Sequence, residues 1–573
     1  MSKTTDSKPQ PRLWHQLLDK KLSRRAMLQS TVVAGVASGL KFADAQTPPG
    51  DVNANNGAPA ASAGSKASSR PPFSPTQVTR ADTVTLPEGY TFQVLAPWGE
   101  TLNERGDTVG FNHDYVGYFP VDLLEGGASS TDAFLTINQE YPNALFVGGN
   151  IDNATDPKQV EAEMKAVGVS VVRVKNAGNA WEVVMDPRNR RIDATTECEL
   201  TGPVRGKGVV GGATVVKGSV GNCSGGQTPW GTLLTCEENV DGYTETWGEA
   251  SDYNAMHQGW ITEIDPFDAK AMPKKRTAMG RFRHENAAVT LAKDGRVVVY
   301  MGDDMRDACV YKFVSKGTYN SADRAANLDL LAEGDLYVAD FSSGAWLLLD
   351  YDRNEDLKSA VDEETGESVV NTQAQVLSDA RTAALAIGGT PVDRPEDIEI
   401  HPITGEVYVA LTNNSDHGNY FGQIVKLREA NDSWTSETFH WEIFAVGGPQ
   451  SGFSSPDNMV FDPHGNLWMV TDSGTGEGTI YEFLGNNAMF FLPTDGPDVG
   501  KAFRFCTGPN DAEMTGPVWT PDGRTLFVSI QHPGEDSESL NALTSNFAAK
   551  EGSKVPRPTL VAISGFPGWG KNA

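Results

Sequence analysis

The chain has 573 residues, of which 39% are hydrophobic and 21% charged, as is typical of a soluble globular protein. Its formal net charge of −28 argues against binding to nucleic acid or to anionic membranes. The 59 glycines and 33 prolines favour many short strands joined by tight turns over long helices. The five cysteines form no C-x-x-C motif, and they are too few to provide a disulfide framework.

The first segment has the pattern of a twin-arginine export signal. A basic front that ends in Arg24 and Arg25 is followed by an apolar stretch over 27–40 and by an A-x-A cleavage site at 43–45. The apolar stretch is too short to span a bilayer. The alternative is an ordinary basic amphipathic terminus, but the order of the three features favours the signal. We therefore predict that residues 1–45 are a signal peptide, that the twin-arginine export machinery is a partner, and that the mature chain is periplasmic or extracellular.

The next segment, residues 46–80, consists mainly of Pro, Ala, Ser, Asn and Gly and has almost no residues that could form a core. Such a composition predicts a disordered linker. The folded domain is then expected to cover residues 81–573. Within it we expect helices only in short patches such as 156–166 and 381–387.

A repeated unit dominates the folded domain. Each copy has a carboxylate, an alternating apolar strand, a tight turn that contains Gly, and a second apolar strand that ends at a polar residue. The four clearest copies are HENAAVTLAKDGRVVVYMGDD from His284, RPEDIEIHPITGEVYVALTNNS from Arg394, SPDNMVFDPHGNLWMVTDSG from Ser455 and AEMTGPVWTPDGRTLFVSIQHPG from Ala512. Two weaker copies end near Glu140 and Glu237. About six units of strand, turn and strand predict an all-β fold, a six-bladed β-propeller with long inserted loops.

An ordinary β-sandwich of hairpins is the alternative architecture, but the polar residue recurs at the same place in every unit. In a propeller the innermost strand of each blade lines the central channel, so the carboxylate at its start should face the axis. Several like charges around one channel need bound cations or raised pKa values. Calcium, which prefers oxygen ligands, is the natural cation for an exported protein. The candidates are Glu140, Glu237, Glu238, Glu285, Asp303, Asp304, Glu396, Asp397, Asp457, Asp472 and Glu513.

Two further candidates are not acids. Cys236 lies beside Glu237 at the end of an apolar strand, where a thiolate would favour a softer metal such as iron or zinc. A buried, inert thiol is the alternative. Arg394 precedes Glu396 by two residues and could form a structural ion pair or a fork for an oxyanion such as phosphate.

A set of ordered motifs is similar to the PhoX-type alkaline phosphatases. The motifs are SRRAML, FNHDYVGYFP, GTLLTCEEN, GWITEIDPFD, RHENAAV, GDD, RPEDIEIHP, SPDNMVFDPHGNLW and QHPGE, and they extend from about residue 85 to 535. The resemblance implies an exported, monomeric metal-dependent phosphomonoesterase, a six-bladed propeller with calcium (Ca²⁺) and iron (Fe³⁺) in its channel. A departure from the family pattern is NQEY at 138–141, where relatives are expected to carry NHE.

The resemblance also implies roles for individual residues. Cys236, Glu285 and Glu396 would lie at the iron, and Arg394 would bind phosphate, so that these four residues form the predicted catalytic set. The acids that would mainly serve calcium are Glu140, Glu237, Asp304, Asp457, Asp472 and Glu513.

Two other functions remain open from the residues alone. A calcium-dependent propeller lactonase or phosphotriesterase would share the channel acids but would not need Cys236 or Arg394. A non-catalytic binding module would use calcium only for stability and would turn over no substrate.

Overall fold

The structure is a computed structural model that describes residues 14–18, 20–21, 71–149, 156–178, 180–362, 364–474 and 478–569. Most of the predicted signal peptide and the first part of the predicted linker, residues 46–70, lie outside the described residues. Among the described residues, no helix has both the length and the apolar character needed to cross a membrane.

The alternating apolar segments form short antiparallel strands. Strand β1 (Thr91–Leu95) comes first, and the first sheet contains β2 (His113–Pro120), β3 (Asp132–Gln139), β4 (Gly168–Asn176), β5 (Trp181–Val183) and β6 (Arg190–Ile192). The second sheet contains β7 (Glu197–Thr201), β8 (Val215–Lys217), β9 (Asn222–Gln227), β10 (Leu233–Glu237), β11 (Ile261–Ile264) and β12 (Lys274–Arg276).

The third sheet contains β13 (Ala288–Leu291), β14 (Arg296–Gly302), β16 (Val310–Thr318), β17 (Gly334–Asp340) and β18 (Ala345–Leu348), while β15 (Arg306–Ala308) pairs separately with β19 (Val392–Asp393). The fourth sheet contains β20 (Pro395–Ile400), β21 (Val407–Leu411), β22 (Gln423–Glu429) and β23 (Phe439–Val446). The fifth contains β24 (Pro456–Phe461), β25 (Leu467–Thr471), β26 (Ala488–Leu492) and β27 (Phe503–Thr507), and the sixth contains β28 (Met514–Trp519), β29 (Thr525–Ile530) and β30 (Thr559–Ser564).

The six sheets are the blades of a β-propeller, which confirms the predicted fold. The ring is closed by β1, which pairs with β30 from Thr91 opposite Ser564 to Leu95 opposite Leu560. The sixth blade therefore takes its outermost strand from the beginning of the domain. The tight turns of the repeats also form as predicted, because Gly295 and Gly465 adopt φ values of 86° and 84°, which favour glycine.

Helices occupy only short connections. The α-helical residues are 14–18, 20–21, Ala144–Val147, Pro157–Ala166, Tyr243–Trp247, Arg324–Asn327, Glu355–Ser359, Gln373–Ser378 and Ala380–Ala386. Single 3-10 turns cover Leu123–Glu125, Gly208–Val210, Gly248–Ala250, Ala255–His257, Thr277–Met279, Leu330–Ala332, Ser415–His417 and Ala430–Asp432. The helix at 157–166 begins where predicted because the side chain of Asp156 accepts hydrogen bonds from the first turn.

The described end of the predicted linker differs from the expectation of a disordered tether. Phe73 packs on the fifth blade, with its ring centroid 4.9 Å from that of Phe505 and 5.9 Å from that of Trp468. The backbone N–H of Thr76 also donates to the carbonyl of Arg504 at 3.0 Å. The aromatic ring and the backbone hydrogen bond together attach this part of the predicted linker to the propeller.

The innermost strands of the six blades are β2, β9, β13, β20, β24 and β28, and consecutive members of this set contact each other around the axis. Apolar side chains of neighbouring blades fill the space between the sheets. This packing holds the starts of the innermost strands close together, and those starts carry the functional side chains.

Candidate active site

A cavity of about 320 Å³ lies where the innermost strands begin. Twelve of its lining residues are acids: Asp114, Glu140, Glu238, Glu285, Asp304, Glu396, Asp457, Asp472, Asp511, Glu513, Glu535 and Asp536. Arg394 and His532 are the basic side chains of this lining, and Cys223 is its thiol. The cavity therefore concentrates negative charge far beyond what its own basic residues can balance.

Five of the twelve acids lie at or just before the starts of the innermost strands. Asp114 belongs to β2, Glu396 to β20 and Asp457 to β24, while Glu285 lies three residues before β13 and Glu513 directly before β28. In the second blade the equivalent position, at the start of β9, is occupied by a cysteine. The Cys223 Sγ lies 3.1 Å from Glu285 Oε2 and 3.3 Å from Asp114 Oδ2.

Other acids lie just after the second strand of a blade. Glu140 follows β3, Glu238 follows β10 and Asp472 follows β25. In the sixth blade this position holds Gln531, whose amide Nε2 donates to Glu140 Oε2 at 2.8 Å and to Asp114 Oδ2 at 2.9 Å. Five of the six blades thus contribute residues from both of these positions, whereas the fourth contributes Arg394 and Glu396 at the start of its innermost strand.

These side chains form three overlapping groups whose donor atoms lie within 4.8 Å of one another. The groups are Asp114 with Glu140 and Cys223, Cys223 with Glu238 and Glu285, and Glu285 with Glu396 and Asp457. Cys223 and Glu285 each belong to two groups, so that they link the three into one continuous cluster. A cluster of this kind has the geometry of a multinuclear metal centre.

Burial strongly disfavours the charged form of these groups. Desolvation raises the pKa of Glu140 to about 8, with the nearby charge of Asp114 as the next cause. Desolvation also raises the pKa of Asp114 to about 7. The pKa values of Glu238, Glu285 and Glu396 are raised well above the ordinary range for the same reason. Bound cations would reverse these shifts by stabilising the carboxylates.

The donor set of the cluster fits metal ions. Asp114 Oδ1 and Gln531 Oε1 are buried and accept no hydrogen bond from the described residues, so both oxygens are available as ligands. Carboxylate and amide oxygens suit calcium, whereas a thiolate among carboxylates suits a transition metal such as iron. The cluster can therefore hold both kinds of ion.

Arg394 faces the cluster from the fourth blade. Its Nε and Nη2 donate to the two carboxylate oxygens of Asp304 at 2.9 and 2.7 Å, and Nη2 also lies 2.9 Å from Glu396 Oε1. Burial lowers the pKa of this guanidinium, but the charges of Asp304 and Glu396 outweigh burial and raise it well above its ordinary value. Arg394 is therefore a permanent cation.

The backbone of Arg394 is held in an unfavourable conformation. Its φ of 53° is uncommon for a residue other than glycine and costs on the order of 1–3 kcal/mol. The preceding Asp393 is fully buried, and its carboxylate lies 2.9 Å from His417 Nδ1 and accepts a hydrogen bond from Asn419 Nδ2 at 2.9 Å. These contacts fix the chain immediately before Arg394 and so determine where its guanidinium points.

On the side of the sixth blade, His532 forms the wall of the cavity. Its ring nitrogens lie 3.4 Å from Glu513 Oε2 and 3.2 Å from Glu535 Oε2. The hydroxyl of Tyr141 donates to Glu535 Oε1 at 2.7 Å. This set adds hydrogen-bonding side chains to the cavity on the side of the sixth blade.

Comparisons with known proteins agree with this geometry. Residues 71–534 match the family model described as Alkaline phosphatase PhoX. The chain belongs to the PhoX family. It is an enzyme of the alkaline phosphatase type, a hydrolase of phosphoesters, and the predicted family and enzyme class are confirmed.

A solved structure of a PhoX protein agrees closely. PhoX of Pseudomonas fluorescens, in complex with vanadate, a transition state analogue, is 32% identical, with a TM-score of 0.76 over 86% of this chain and 97% of that one. A protein of unknown function from Dyadobacter fermentans is 13% identical, with a TM-score of 0.35 over 83% of this chain and 99% of that one. A gluconolactonase from Xanthomonas campestris is 12% identical, with a TM-score of 0.33 over 86% and 98%. No curated protein matches significantly.

Most of the predicted site residues of this PhoX-family chain line the cavity. The structure brings together Glu140, Glu285, Asp304, Arg394, Glu396, Asp457, Asp472 and Glu513. Glu238, a candidate from the repeat pattern, also lines it. Asp303 and Asp397 do not, because Asp303 pairs with Arg381, and Asp397 accepts hydrogen bonds from Asn286 and from the backbone N–H of Met459.

The prediction that Cys236 lies in the cluster is wrong in its placement. Cys236 is fully buried within β10, where it pairs with Ile261 and packs among apolar residues between the second and third blades. Burial raises the pKa of its thiol well above the ordinary value, which keeps it neutral and inert. Cys223 on β9 provides the thiol at the cavity instead.

Glu237 is likewise not in the cavity. Its carboxylate accepts hydrogen bonds from Lys275 Nζ at 2.6 and 2.8 Å, and both side chains are fully buried. Ser219 Oγ and Thr262 Oγ1 donate to it as well, at 3.0 and 3.2 Å. The carboxylate is therefore fully engaged inside the second blade, and its neighbour Glu238 faces the cavity.

We expect Glu237→Gln to lower the free energy of unfolding by about 3–5 kcal/mol, because it leaves the Lys275 ammonium buried without its counter-charge. Urea denaturation of the metal-loaded protein measures this loss. The control is Asp252→Asn, which breaks an exposed pair with Lys217 and should change stability by less than about 1 kcal/mol. Equal small effects of the two variants would contradict a buried structural pair.

An alignment of the sequence repeats on their strand starts would have identified the site residues that the prediction missed. In the four clear copies the first acid lies at the start of the innermost strand, and the segments NHDYVG at 112–117 and GNCSGG at 221–226 occupy the same place in the first two blades. Alignment on those starts points to Asp114 and Cys223. Alignment on the residue after the second strand points to Glu238, since Glu237 is the last residue of β10. His532 and Tyr141 have no comparable signal, because each lies in a loop.

We expect the chelated protein to lose stability as the pH rises. Without cations the pKa of Glu140 in the folded protein is about 8, above its ordinary value of 4.5, so folding favours the protonated form. That stabilisation is complete below about pH 4.5 and is lost as the pH rises through 8. In EDTA, Tm should therefore be at least about 4 °C lower at pH 9 than at pH 6.

The control for this prediction is the same measurement with excess Ca²⁺, which should largely abolish the difference because the ions hold the carboxylates ionised at both pH values. A Tm in EDTA that does not change between pH 6 and pH 9 would contradict a cluster of desolvated carboxyl groups.

Proposed function

We propose that the protein is an exported alkaline phosphatase that releases inorganic phosphate from phosphomonoesters at a calcium and iron cluster in the propeller channel. The observation that carries the proposal is that one cavity contains Cys223, several carboxylates and the half-buried Arg394. Vanadate, the ligand of the similar Pseudomonas fluorescens protein, has the shape and charge of phosphate in transfer. A site that combines bound cations with an arginine fork suits such an anion.

The proposed iron position uses Cys223, Glu285 and Glu238, because a thiolate and carboxylates suit iron. The proposed calcium positions use the oxygen-only parts of the cluster, with Asp114, Glu140 and Gln531 on one side and Glu396, Asp457 and Glu513 on the other. When bound, the ions supply positive charge that neutralises the phosphate oxygens and polarises the ester.

The residues of the chain position and stabilise the phosphoryl group. The planar fork of Arg394 lies beside the cluster and can donate two hydrogen bonds to equatorial phosphate oxygens, where charge builds up during transfer. To do so it must release one of its contacts with Asp304 or Glu396, and cations bound at these carboxylates favour that release. His532 and Tyr141 also line the cavity and can hydrogen-bond to the leaving alcohol.

We also propose that the protein is a monomer delivered to the periplasm or beyond by the twin-arginine route. The order of Arg24, Arg25, the apolar stretch and the cleavage site supports export. A thiol and iron are both available before export, which suits a route that carries folded proteins. The monomeric state is what the family resemblance implies.

Purified protein incubated with p-nitrophenyl phosphate tests the function. We expect p-nitrophenol release at alkaline pH, its loss in EGTA and its recovery with Ca²⁺, together with iron and calcium in elemental analysis. Turnover of a lactone or a phosphotriester without phosphomonoester hydrolysis would favour the alternative hydrolase. Absence of turnover in fully metal-loaded protein would favour a binding module and reject the proposal.

A further inference from the structure

The helical residues 14–18 and 20–21 pack on the outside of the propeller. Trp14 is fully buried there, with its ring centroid 5.0 Å from that of Phe341 and 4.9 Å from that of Trp441. Leu17 and Leu18 are each only 8% exposed and belong to the same apolar cluster. The segment thus has an apolar face that is covered by the folded domain.

Polar contacts accompany this packing. Lys21 Nζ donates to the carbonyl of Trp441 at 2.8 Å and lies 4.5 Å from the centroid of its ring, in a cation–π position. The ring of His15 lies 5.4 Å from that of His417, the residue that holds Asp393 next to Arg394. One short segment therefore combines an aromatic anchor, two leucines and a cation, each with a partner on the propeller.

The receiving groove exists only when two blades have folded. Phe341 follows β17 of the third blade, whereas Trp441 belongs to β23 of the fourth. The indole Nε1 of Trp441 donates to the carbonyl of Phe341 at 2.8 Å, which joins the two walls. Neither blade alone presents both aromatic surfaces to Trp14.

We propose that this groove between the third and fourth blades is a docking site for a segment of the chain's own predicted signal peptide, residues 14–18 and 20–21. Arg24 and Arg25 follow the docked segment within four residues in the sequence, so the folded propeller holds the front of the predicted export signal. Docking of the segment therefore requires that the third and fourth blades are folded, because the groove does not exist in an unfolded chain. Removal of the signal after residue 45 then uncovers Trp441 and Phe341 in the mature protein.

Hydrogen exchange in the full-length precursor, followed by mass spectrometry, tests the docking. We expect the amides of residues 14–21 to exchange at least about tenfold more slowly than in a free peptide of residues 12–23, since opening the segment exposes a buried tryptophan and two leucines. Trp14→Ala should bring the exchange to the rate of the peptide. Trp441→Ala should do the same from the side of the groove.

The matched control is Trp569→Ala, which removes an aromatic residue that packs on Trp519 in the sixth blade and should leave residues 14–21 protected. Exchange of wild-type residues 14–21 at the rate of the free peptide, or protection that survives both groove variants, would overturn the proposal. Protection that increases with protein concentration would assign the segment to a second copy of the chain and would also overturn it.

The docking does not depend on the proposed phosphatase function. All three variants should keep their p-nitrophenyl phosphate turnover, because none of the three tryptophans lines the cavity. Retained turnover also shows that Trp441→Ala still folds; if that variant does not fold, Trp14→Ala decides the question alone. If the segment is protected in a protein that has no turnover, the docking proposal stands and only the proposed phosphatase function is rejected.

Discussion

Replacement of Arg394 by alanine is expected to lower kcat/KM for p-nitrophenyl phosphate by at least about a hundredfold, the usual effect of losing one positioned charge stabiliser. Arg394 is the arginine of the cavity lining, and its guanidinium already forms a fork with Asp304. Its removal takes away the donors proposed for the equatorial oxygens. Steady-state kinetics and inhibition by vanadate should both show the loss, because vanadate would bind through the same donors.

Two further variants sharpen this prediction. Arg394→Lys keeps the charge without the planar fork, so it should recover only part of the activity. Arg306→Ala removes an exposed arginine that pairs with Asp416 and should leave kcat/KM within about twofold, since exposed pairs contribute little. Metal content should remain normal in all three proteins. Normal kinetics in Arg394→Ala would rule out its role at the phosphate.

Replacement of Cys223 by alanine is expected to remove most of the bound iron and at least about 99% of the turnover, because the thiolate is the soft ligand of the cluster. Its Sγ lies within 3.3 Å of carboxylate oxygens of both Asp114 and Glu285, so its loss disrupts two of the three donor groups. Elemental analysis and phosphate release measure the two effects.

The matched control is Cys236→Ala. Cys236 is a buried thiol in the apolar core of the second blade, so its truncation should cost about 1 kcal/mol in the free energy of unfolding and leave iron and turnover near normal. Loss of iron in Cys236→Ala with normal iron in Cys223→Ala would reverse the assignment and would mean that the cluster is organised around the second blade's other thiol.

The fold could be predicted from the sequence because its signal is periodic. Each of the clear copies from His284, Arg394, Ser455 and Ala512 forms the first two strands of a blade, and the turns at Gly295 and Gly465 lie where the pattern puts them. A repeat of strand, turn and strand has few stable arrangements other than a ring of blades. The acidic character of the channel could be inferred in the same way, because five of the six blades carry an acid at or just before the start of the innermost strand.

The assignment of the thiol failed because the repeat pattern did not locate β9. Cys236 lies inside β10, and the residue that reaches the cavity is Glu238, directly after the last residue of that strand. Periodicity shows that a blade exists but not which residue near the end of a strand faces the axis. The sequence of β9, NCSGGQ, is weakly apolar and gives little indication of a strand, which concealed Cys223.

Closure of the ring by β1 and β30 has a consequence for biosynthesis. The paired residues Thr91 and Ser564 are separated by almost the entire domain, so this contact forms only after β30 has been synthesised. A polypeptide without β30 has a sixth blade of only β28 and β29, and these two strands, which contact β2 beside Asp114, then lack the outer pair formed by β30 and β1. The complete cavity, and with it the proposed metal centre, therefore depends on the meeting of two distant parts of the polypeptide.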